Sequence, residues 1–329
     1  MFKVFVTYPI PKNGIEMLKK AGYKVTVQPF EKHISRKELI TKAKGSDAVL
    51  TLLTNHVDAG FMDAVGKQLR VISNFAVGYD NIDVIAAKAR GIVVANTPCD
   101  EVSSAVAEHT IALLLALARN IVSADLFSLA NKYKGWDPRL FIGTDISGKT
   151  LGLVGLGRIG KCVARRLERG FDIRIIYTDT VRDRAFEKEY NTSFVSLEVL
   201  LKKSDIVSLH VPLLPSTYHL VNAKKLTLMK KDAFLINTAR GGVVDQSAVL
   251  ARLSNGLLGG FAMDVFECEP HIAKNSKELK LLRRLENVVI TPHIASATKE
   301  SREAMARIAA QNIIEGLSGK LITHRVVNT

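Results

Sequence analysis

The sequence predicts an α/β protein built as two doubly wound parallel sheets, and three observations carry that expectation. Short apolar runs alternate with helix-period segments along nearly the whole chain, the pattern of parallel strands joined by right-handed helical crossovers. Residues 149–179, KTLGLVGLGRIGKCVARRLERGFDIRIIYTD, pass from an apolar run through clustered glycines and a helical stretch to a second apolar run ending in an acid. At 329 residues the chain is long enough for about two domains.

Within 149–179 the glycines have separate physical jobs. Gly155 permits the tight turn, Gly157 lets backbone approach a pyrophosphate, and Gly160 lets the helix lie close on the sheet. Amides at the helix N-terminus then face phosphate. Asp179 follows Gly155 by 24 residues, close to the spacing at which a carboxylate takes the ribose hydroxyls of NAD. A 2′-phosphate would meet a like charge there, so NADH is favoured over NADPH. Arg182 and Arg184 soften that preference if either is free, and are solvated loop charges otherwise.

Upstream, KVFVTY is a strand, Asn13 to Ala21 a helix, YKVTVQPF a strand, and Ser35 to Ala43 a helix with Ser35 and Glu38 as a capping box. DAVLTLL, RVISNFAV and IVVAN follow as strands, separated by helices at Ala59 to Val65 and Asp83 to Ala89. Asp100 to Asn120 reads as one long helix, apolar on more than one face and therefore buried on several sides or at a dimer interface. A looser segment with the only tryptophan, Trp136, comes next; packing is the default reading for that side chain and a contribution to a partner subunit's active site the sharper one. After the glycine-rich unit the strands are DIVSLHV, AFLINT, LGGFAMDV and NVVITP, with helices at Leu197 to Leu201, Ala223 to Leu228, Gln246 to Leu253 and Lys277 to Leu282. The final helix, Lys299 to Leu317, is expected to return to the first domain. The expected division is therefore 1–99 with 294–329, discontinuous, and 100–293 as the Rossmann-like nucleotide domain.

Composition narrows the function. With 47% hydrophobic and 6% aromatic residues the chain carries a full globular core. Cys99, Cys162 and Cys268 are scattered without metal spacing and read as reduced thiols of a cytoplasmic protein, with no zinc site. The start, MFKVFVTYPIP, reads as a first strand and not a signal peptide, and the apolar run from Ile111 to Ala118 is too short to span a bilayer. The net charge of +14 raises nucleic acid as a partner. The basic residues are spread through helices with no aromatic interleaving, which argues against a dedicated nucleic-acid site and for attraction of small anions.

An oxidoreductase that uses nicotinamide needs a cation for the substrate and an acid/base for the proton that accompanies hydride. NTARGGVVD places Arg240 at the end of an apolar strand, where ligands bind in doubly wound sheets and a guanidinium forks onto a carboxylate. DVFECEP places Glu269 after another strand, and TPHIASA places His293 after the next. A carboxylate beside an imidazole orients it as acid for reduction and base for oxidation. Each residue alone has a structural alternative: ion-pair partner, surface acid, core histidine. Of the other histidines, His109 reads as packed in the apolar helix and His210 as lining a cofactor groove.

VGLGRIGK, HVPLLPST, INTARGGVVDQ, DVFECEP and TPHIASAT, with AVGYDNID upstream, closely resemble the D-isomer-specific 2-hydroxyacid dehydrogenase family, nearest its glyoxylate/hydroxypyruvate reductase branch. The likeness covers nearly the whole chain. It implies two Rossmann-like domains with a cleft between them that closes by hinging near Pro98 and Ile294. It implies Arg240 as substrate ligand, His293 as acid/base and Glu269 as its partner. It implies the amides of Val77 and Gly78 on the substrate carboxylate, with Leu53 in the Leu52 to Thr54 loop shaping the pocket. For NAD it implies Arg158 and Ile159 on the pyrophosphate, Asp179 on the adenosine ribose, and Val211, Pro212 and Thr217 along the groove. Thr238 and Ala239 fall near the nicotinamide ribose and Asp264 on the carboxamide. A homodimer built on the long helix is implied as well.

Two other readings compete. GWDP, AAQNIIEGLSGK and Arg302 are also similar to phosphite dehydrogenase, but that branch has lysine where this chain has Val77, which places phosphite oxidation second. A corepressor-like protein that senses NAD is the alternative from another class; the Arg, Glu and His set favours an enzyme.

Overall fold

The computed structural model describes residues 1–29, 34–269 and 277–326. Contacts divide the chain into two compact units, Met1–Val102 with Ala297–Thr329, and Ser103–Ser296.

The first unit alternates β1 (Lys3–Val6), α1 (Lys12–Lys20), β2 (Lys24–Val27), α2 (Arg36–Ala43), β3 (Ala48–Thr51), α3 (Ala59–Val65), β4 (Val71–Asn74), α4 (Val84–Ala89) and β5 (Val93–Ala95). All strands are parallel, in the order β2-β1-β3-β4-β5. The strand read at YKVTVQPF is shorter than expected, and Phe30 lies outside the described residues. Ser35 accepts from the Glu38 amide while Glu38 reaches back to Ser35, completing the capping box, a device worth about 1 kcal/mol. Phe5, Phe61, Met62 and Ile72 are buried together on one face of the sheet.

The second unit begins within α5 (Asp100–Ala118) and continues through α6 (Ile121–Leu129), β6 (Thr150–Val154), α7 (Arg158–Phe171), β7 (Arg174–Thr178), α8 (Arg184–Tyr190), β8 (Ser193–Phe194), α9 (Leu197–Lys203), β9 (Ile206–Leu209), α10 (Ala223–Leu226), β10 (Phe234–Asn237), α11 (Gln246–Ser254), β11 (Gly260–Met263), α12 (Lys277–Leu282) and β12 (Val288–Ile290). Its seven parallel strands run β12-β11-β10-β9-β6-β7-β8. Order reverses at β6, the strand that leads into the glycine turn, and such a switch point is where open α/β sheets bind ligands. Helix α7 buries Val163, Ala164 and Leu167 on one face, and the two larger side chains contribute about 1.5–3 kcal/mol each.

Helix α13 (Lys299–Leu317) packs on α1 and on β4 of the first unit. Gly14 and Gly316 permit this approach: a Cβ on Gly14 would lie 2.5 Å from Ala306 O, and one on Gly316 2.5 Å from Val71 Cγ2.

Helix α5 is long and apolar enough to cross a bilayer, yet most of it is buried, with Leu113, Leu114 and Leu117 in the core of the second unit. The segment expected to be loose contains α6 instead, started by Asn120 at φ +53°. None of its residues is buried. Trp136 is 83% exposed, so its default reading as a packed side chain fails within this chain.

Candidate functional site

The glycine turn joins β6 to α7. Gly155 sits at φ +97°, and a Cβ there would lie 2.7 Å from His210 O. At Gly160 a Cβ would come within 2.3 Å of Gly155 O, whereas at Gly157 it would meet nothing within 4 Å. The turn is thus closed by two glycines and left open at the third. Gly157 is also the N-cap of α7 and offers no side chain to its amides, leaving the positive end of the helix dipole, where Arg158 and Ile159 begin the first turn, to a phosphate.

Asp179, one residue beyond β7, holds the turn from the other side. Its Oδ2 accepts from Leu156 N at 2.6 Å and its Oδ1 from Thr180 N at 2.6 Å. Two of the nearby cations, Arg182 and Lys161, are engaged. Arg182 forks onto Glu187, which also accepts from Tyr177 Oη at 2.8 Å, and Lys161 pairs with Asp183 at 2.6 Å. Burial, with Glu187 and Asp183 close by, pushes the Tyr177 hydroxyl up to about 12.

After β9, Thr217 Oγ1 donates to Pro212 O at 2.6 Å and accepts from Leu214 N at 2.8 Å, which closes the loop after Val211 on itself. His210 Nε2 lies 2.9 Å from Ser208 Oγ. Burial pushes its imidazole down to about 4, although the residue as a whole is of intermediate exposure.

Arg240 stands at the end of β10 on a turn fixed by Asn237, whose Nδ2 donates to Arg240 O at 2.9 Å and whose Oδ1 accepts from Ala239 N at 3.0 Å. Thr238 Oγ1 lies 2.9 Å from Thr110 Oγ1 on α5. Directly after Arg240, a Cβ on Gly241 would lie 1.9 Å from the Phe266 carbonyl carbon. Only glycine lets the Arg240 turn approach the turn that carries Glu269.

Glu269 and His293 meet. Glu269 Oε2 is 2.7 Å from His293 Nδ1, and its Oε1 accepts from Phe266 N at 3.3 Å. The bond to Nδ1 directs Nε2 outward, the arrangement of a general acid/base. His293 has φ +55°, in the left-handed region sparsely visited by non-glycine residues. Strain of this kind persists only where the surroundings impose it.

Asp264 supplies part of that imposition. It is fully buried, and it accepts from Thr291 Oγ1 at 2.6 Å, Ile294 N at 2.9 Å and Ala295 N at 2.7 Å. Burial works against its ionisation, but the bonds from His109, Thr291 and the two amides outweigh that and hold its carboxyl below the usual range. His109 is therefore not merely packed: its Nε2 is 2.9 Å from Thr291 Oγ1 and 3.6 Å from Asp264 Oδ1.

In the first unit, Leu53, Val77 and Gly78 lie on loops organised by asparagines that the motifs did not single out. Asn96 Nδ2 donates to Val77 O at 2.6 Å and Asn74 Nδ2 to Gly78 O at 2.9 Å. Asn81 Nδ2 donates to the carbonyls of Leu52 and Asn55, and Asn55 Oδ1 accepts from Leu52 N and Thr7 Oγ1.

Against known proteins, residues 111–295 match the profile of the NAD binding domain of D-isomer specific 2-hydroxyacid dehydrogenases. The chain is 46% identical over 323 residues to a glyoxylate reductase of Thermococcus kodakarensis, covering 97% of this chain and 94% of that one. To a glyoxylate reductase of Pyrococcus horikoshii it is 45% identical, again covering 97% and 94%. The crystal structure of TT0316 protein from Thermus thermophilus superposes with a TM-score of 0.90 at 38% identity, covering 99% of this chain and 100% of that one. An NADPH-dependent glyoxylate/hydroxypyruvate reductase from Sinorhizobium meliloti, solved with NADP and malonate, superposes with a TM-score of 0.85 at 29% identity, covering 100% and 97%.

Proposed function

The chain belongs to the D-isomer specific 2-hydroxyacid dehydrogenase family, oxidoreductases that act on 2-hydroxy acids with a nicotinamide cofactor, and from that premise we propose that it reduces glyoxylate or hydroxypyruvate with NADH. The observation that carries the mechanism is the 2.7 Å bond between His293 Nδ1 and Glu269 Oε2. It fixes the ring so that a proton on Nε2 is the one delivered.

When bound, the nicotinamide supplies the hydride. For glyoxylate the balance is glyoxylate + NADH + H⁺ giving glycolate + NAD⁺. His293 would give its Nε2 proton to the carbonyl oxygen as that oxygen becomes the hydroxyl of the product. Arg240 binds the substrate and polarises the carbonyl, a task suited to a planar guanidinium. The amides of Val77 and Gly78 hold the substrate carboxylate, with Leu53 beside them, so the first unit is the substrate-binding domain. Arg158 and Ile159 take the pyrophosphate, Gly157 lets the backbone approach it, and Gly155 and Gly160 shape the turn. Val211, Pro212 and Thr217 line the groove, and Thr238 and Ala239 take the nicotinamide ribose. Asp264 takes the nicotinamide carboxamide on this reading and also anchors the His293 turn, accepting from Thr291 Oγ1 and the amides of Ile294 and Ala295.

NADH is the preferred cofactor on this reading. Asp179 meets a ribose diol better than a 2′-phosphate, and Arg182 and Lys161 are occupied by Glu187 and Asp183. The exposed apolar side chains Ile121, Val122, Leu126 and Leu129 of α6, together with Trp136, support a homodimer. Cys99, Cys162 and Cys268 form no disulfide among the described residues, which suits the reducing cytoplasm.

The test follows NADH absorbance with glyoxylate, hydroxypyruvate and pyruvate, and NAD reduction with phosphite. Consumption with glyoxylate or hydroxypyruvate supports the proposal. Turnover with phosphite alone overturns the substrate assignment, and NADH binding without turnover on any of the four overturns the enzymatic reading.

A further inference from the structure

We propose that His109 is a positioning residue for the reduction, locking through Thr291 and Asp264 the backbone turn that carries His293. This deepens the reading of His293 as acid/base and rests on it.

Direction of bonding gives the first step. The Asp264 carboxylate only accepts, so the Thr291 hydroxyl, 2.6 Å from Oδ1, must donate to it. That spends the one proton of Thr291, and its oxygen can only accept from His109 Nε2 at 2.9 Å. The chain therefore runs one way, from His109 Nε2–H to the Thr291 hydroxyl to the Asp264 carboxylate. A neutral His109 in this chain carries its proton on Nε2.

The far end of the chain gives the second step. Asp264 accepts from the amides of Ile294 and Ala295, the two residues after His293. Thr291, the middle link, closes the same turn, since its carbonyl accepts from His293 N at 3.1 Å, and its own amide donates to Met263 O at 3.0 Å. Both sides of His293 are thus bonded to the relay while His293 holds φ +55°. Its side chain is aimed by Glu269, but the backbone that lets it meet Glu269 is set by Asp264, Thr291 and His109.

The third step is what His109 adds. It sits on α5, one residue before Thr110, whose hydroxyl is 2.9 Å from that of Thr238, two residues before Arg240. One turn of a long buried helix is therefore tied to both strand-end turns that carry the reacting side chains. A histidine that filled space alone would not need its nitrogen at hydrogen-bond distance from a threonine already committed to a carboxylate.

The experiment compares the wild type, His109→Leu, His109→Gln and Thr291→Val in the full chain, with exchange read without added cofactor and turnover with NADH and glyoxylate. Hydrogen exchange is measured at the amides of Ile294 and Ala295, with those of the central strands as internal reference. His109→Leu and Thr291→Val should raise exchange at 294–295 roughly tenfold, the effect of losing about one hydrogen bond, and leave the central strands unchanged. Turnover should fall about tenfold through kcat with little change in the KM for glyoxylate, as a displaced acid requires. His109→Gln, whose amide N–H reaches the same Thr291 oxygen, should return both readouts toward the wild type. Unchanged exchange at 294–295 in both relay variants overturns the proposal. So does a rise spread equally over the whole sheet, or a failure of glutamine to restore what leucine lost. Were His293→Ala to retain full turnover, the acid/base reading would fall, while the exchange comparison would still judge the lock.

Discussion

Arg182 forks onto Glu187, with Nε 2.8 Å from Oε1 and Nη2 2.7 Å from Oε2, three residues beyond Asp179. A guanidinium so engaged is not presented to a 2′-phosphate, and Asp179 adds a like charge beside it. Asp179→Ala should therefore reduce the preference for NADH over NADPH, and Asp179→Ala with Glu187→Gln should reduce it further by freeing Arg182. Dissociation constants for the two cofactors, read by fluorescence, check this directly. Equal ratios in the wild type and both variants would assign the adenosine end elsewhere.

His293→Ala should lower kcat by roughly 10²- to 10⁴-fold, the usual worth of a positioned acid/base, with NADH binding nearly intact. Glu269→Gln, which keeps a hydrogen bond to the ring but loses the charge, should cost less than His293→Ala. Steady-state kinetics with glyoxylate decides; a Glu269→Gln enzyme slower than His293→Ala would give Glu269 the larger role. Arg240→Lys should also damage turnover although charge is kept, because an ammonium has no fork.

His210 predicts how stability depends on pH. Its folded-state value of about 4 lies below the ordinary imidazole value of 6.5. Above 6.5 neither state is protonated there and the contribution is complete. As pH falls from 6.5 toward 4 the unfolded chain takes a proton the folded chain refuses, so stability is lost across that window. At pH 5 the loss is at most about 2 kcal/mol. Urea midpoints at pH 7 and pH 5 should therefore differ more for the wild type than for His210→Gln. Identical pH slopes would mean the ring titrates normally.

What was legible in the sequence was local. The glycine turn, the strand ends before Arg240, Glu269 and His293, and the capping box at Ser35 each depend on residues within one or two elements, where spacing and residue type carry the geometry. What escaped was long-range or unpatterned. His109 reads as a packed helical histidine because its partners, Thr291 and Asp264, are far along the chain. Asn74, Asn81 and Asn96 bond to loop carbonyls, Asn55 accepts from Leu52 N and Thr7 Oγ1, and none has a periodicity to betray it. Helix α6 intersperses Ser123, Asp125 and Ser128 among its apolar residues and has no buried residue, so the usual one-sided stripe is absent. The left-handed backbone at His293 is likewise a tertiary effect, since nothing in TPHIASA calls for a positive φ.

Gly241 tests whether the two reacting turns form one unit. A methyl group there would lie 1.9 Å from the Phe266 carbonyl carbon and 2.1 Å from its oxygen. Neither atom can swing aside as the end of a side chain would, so Gly241→Ala must separate the Arg240 turn from the turn leading to Glu269. Overpacking of this kind costs roughly 1–3 kcal/mol, and a displacement near 1 Å at reacting groups costs up to about 10²-fold in rate. The expected variant folds, melts lower, and loses kcat/KM for glyoxylate far beyond what its stability loss explains at a temperature where it is fully folded. Gly242→Ala is the control, because a Cβ there would meet only the flexible ends of Leu213 and Tyr218 at 3.3 Å or more. If both variants lose stability and activity in proportion, Gly241 serves the fold alone, and the Arg240 and Glu269 turns owe their alignment to something other than this contact.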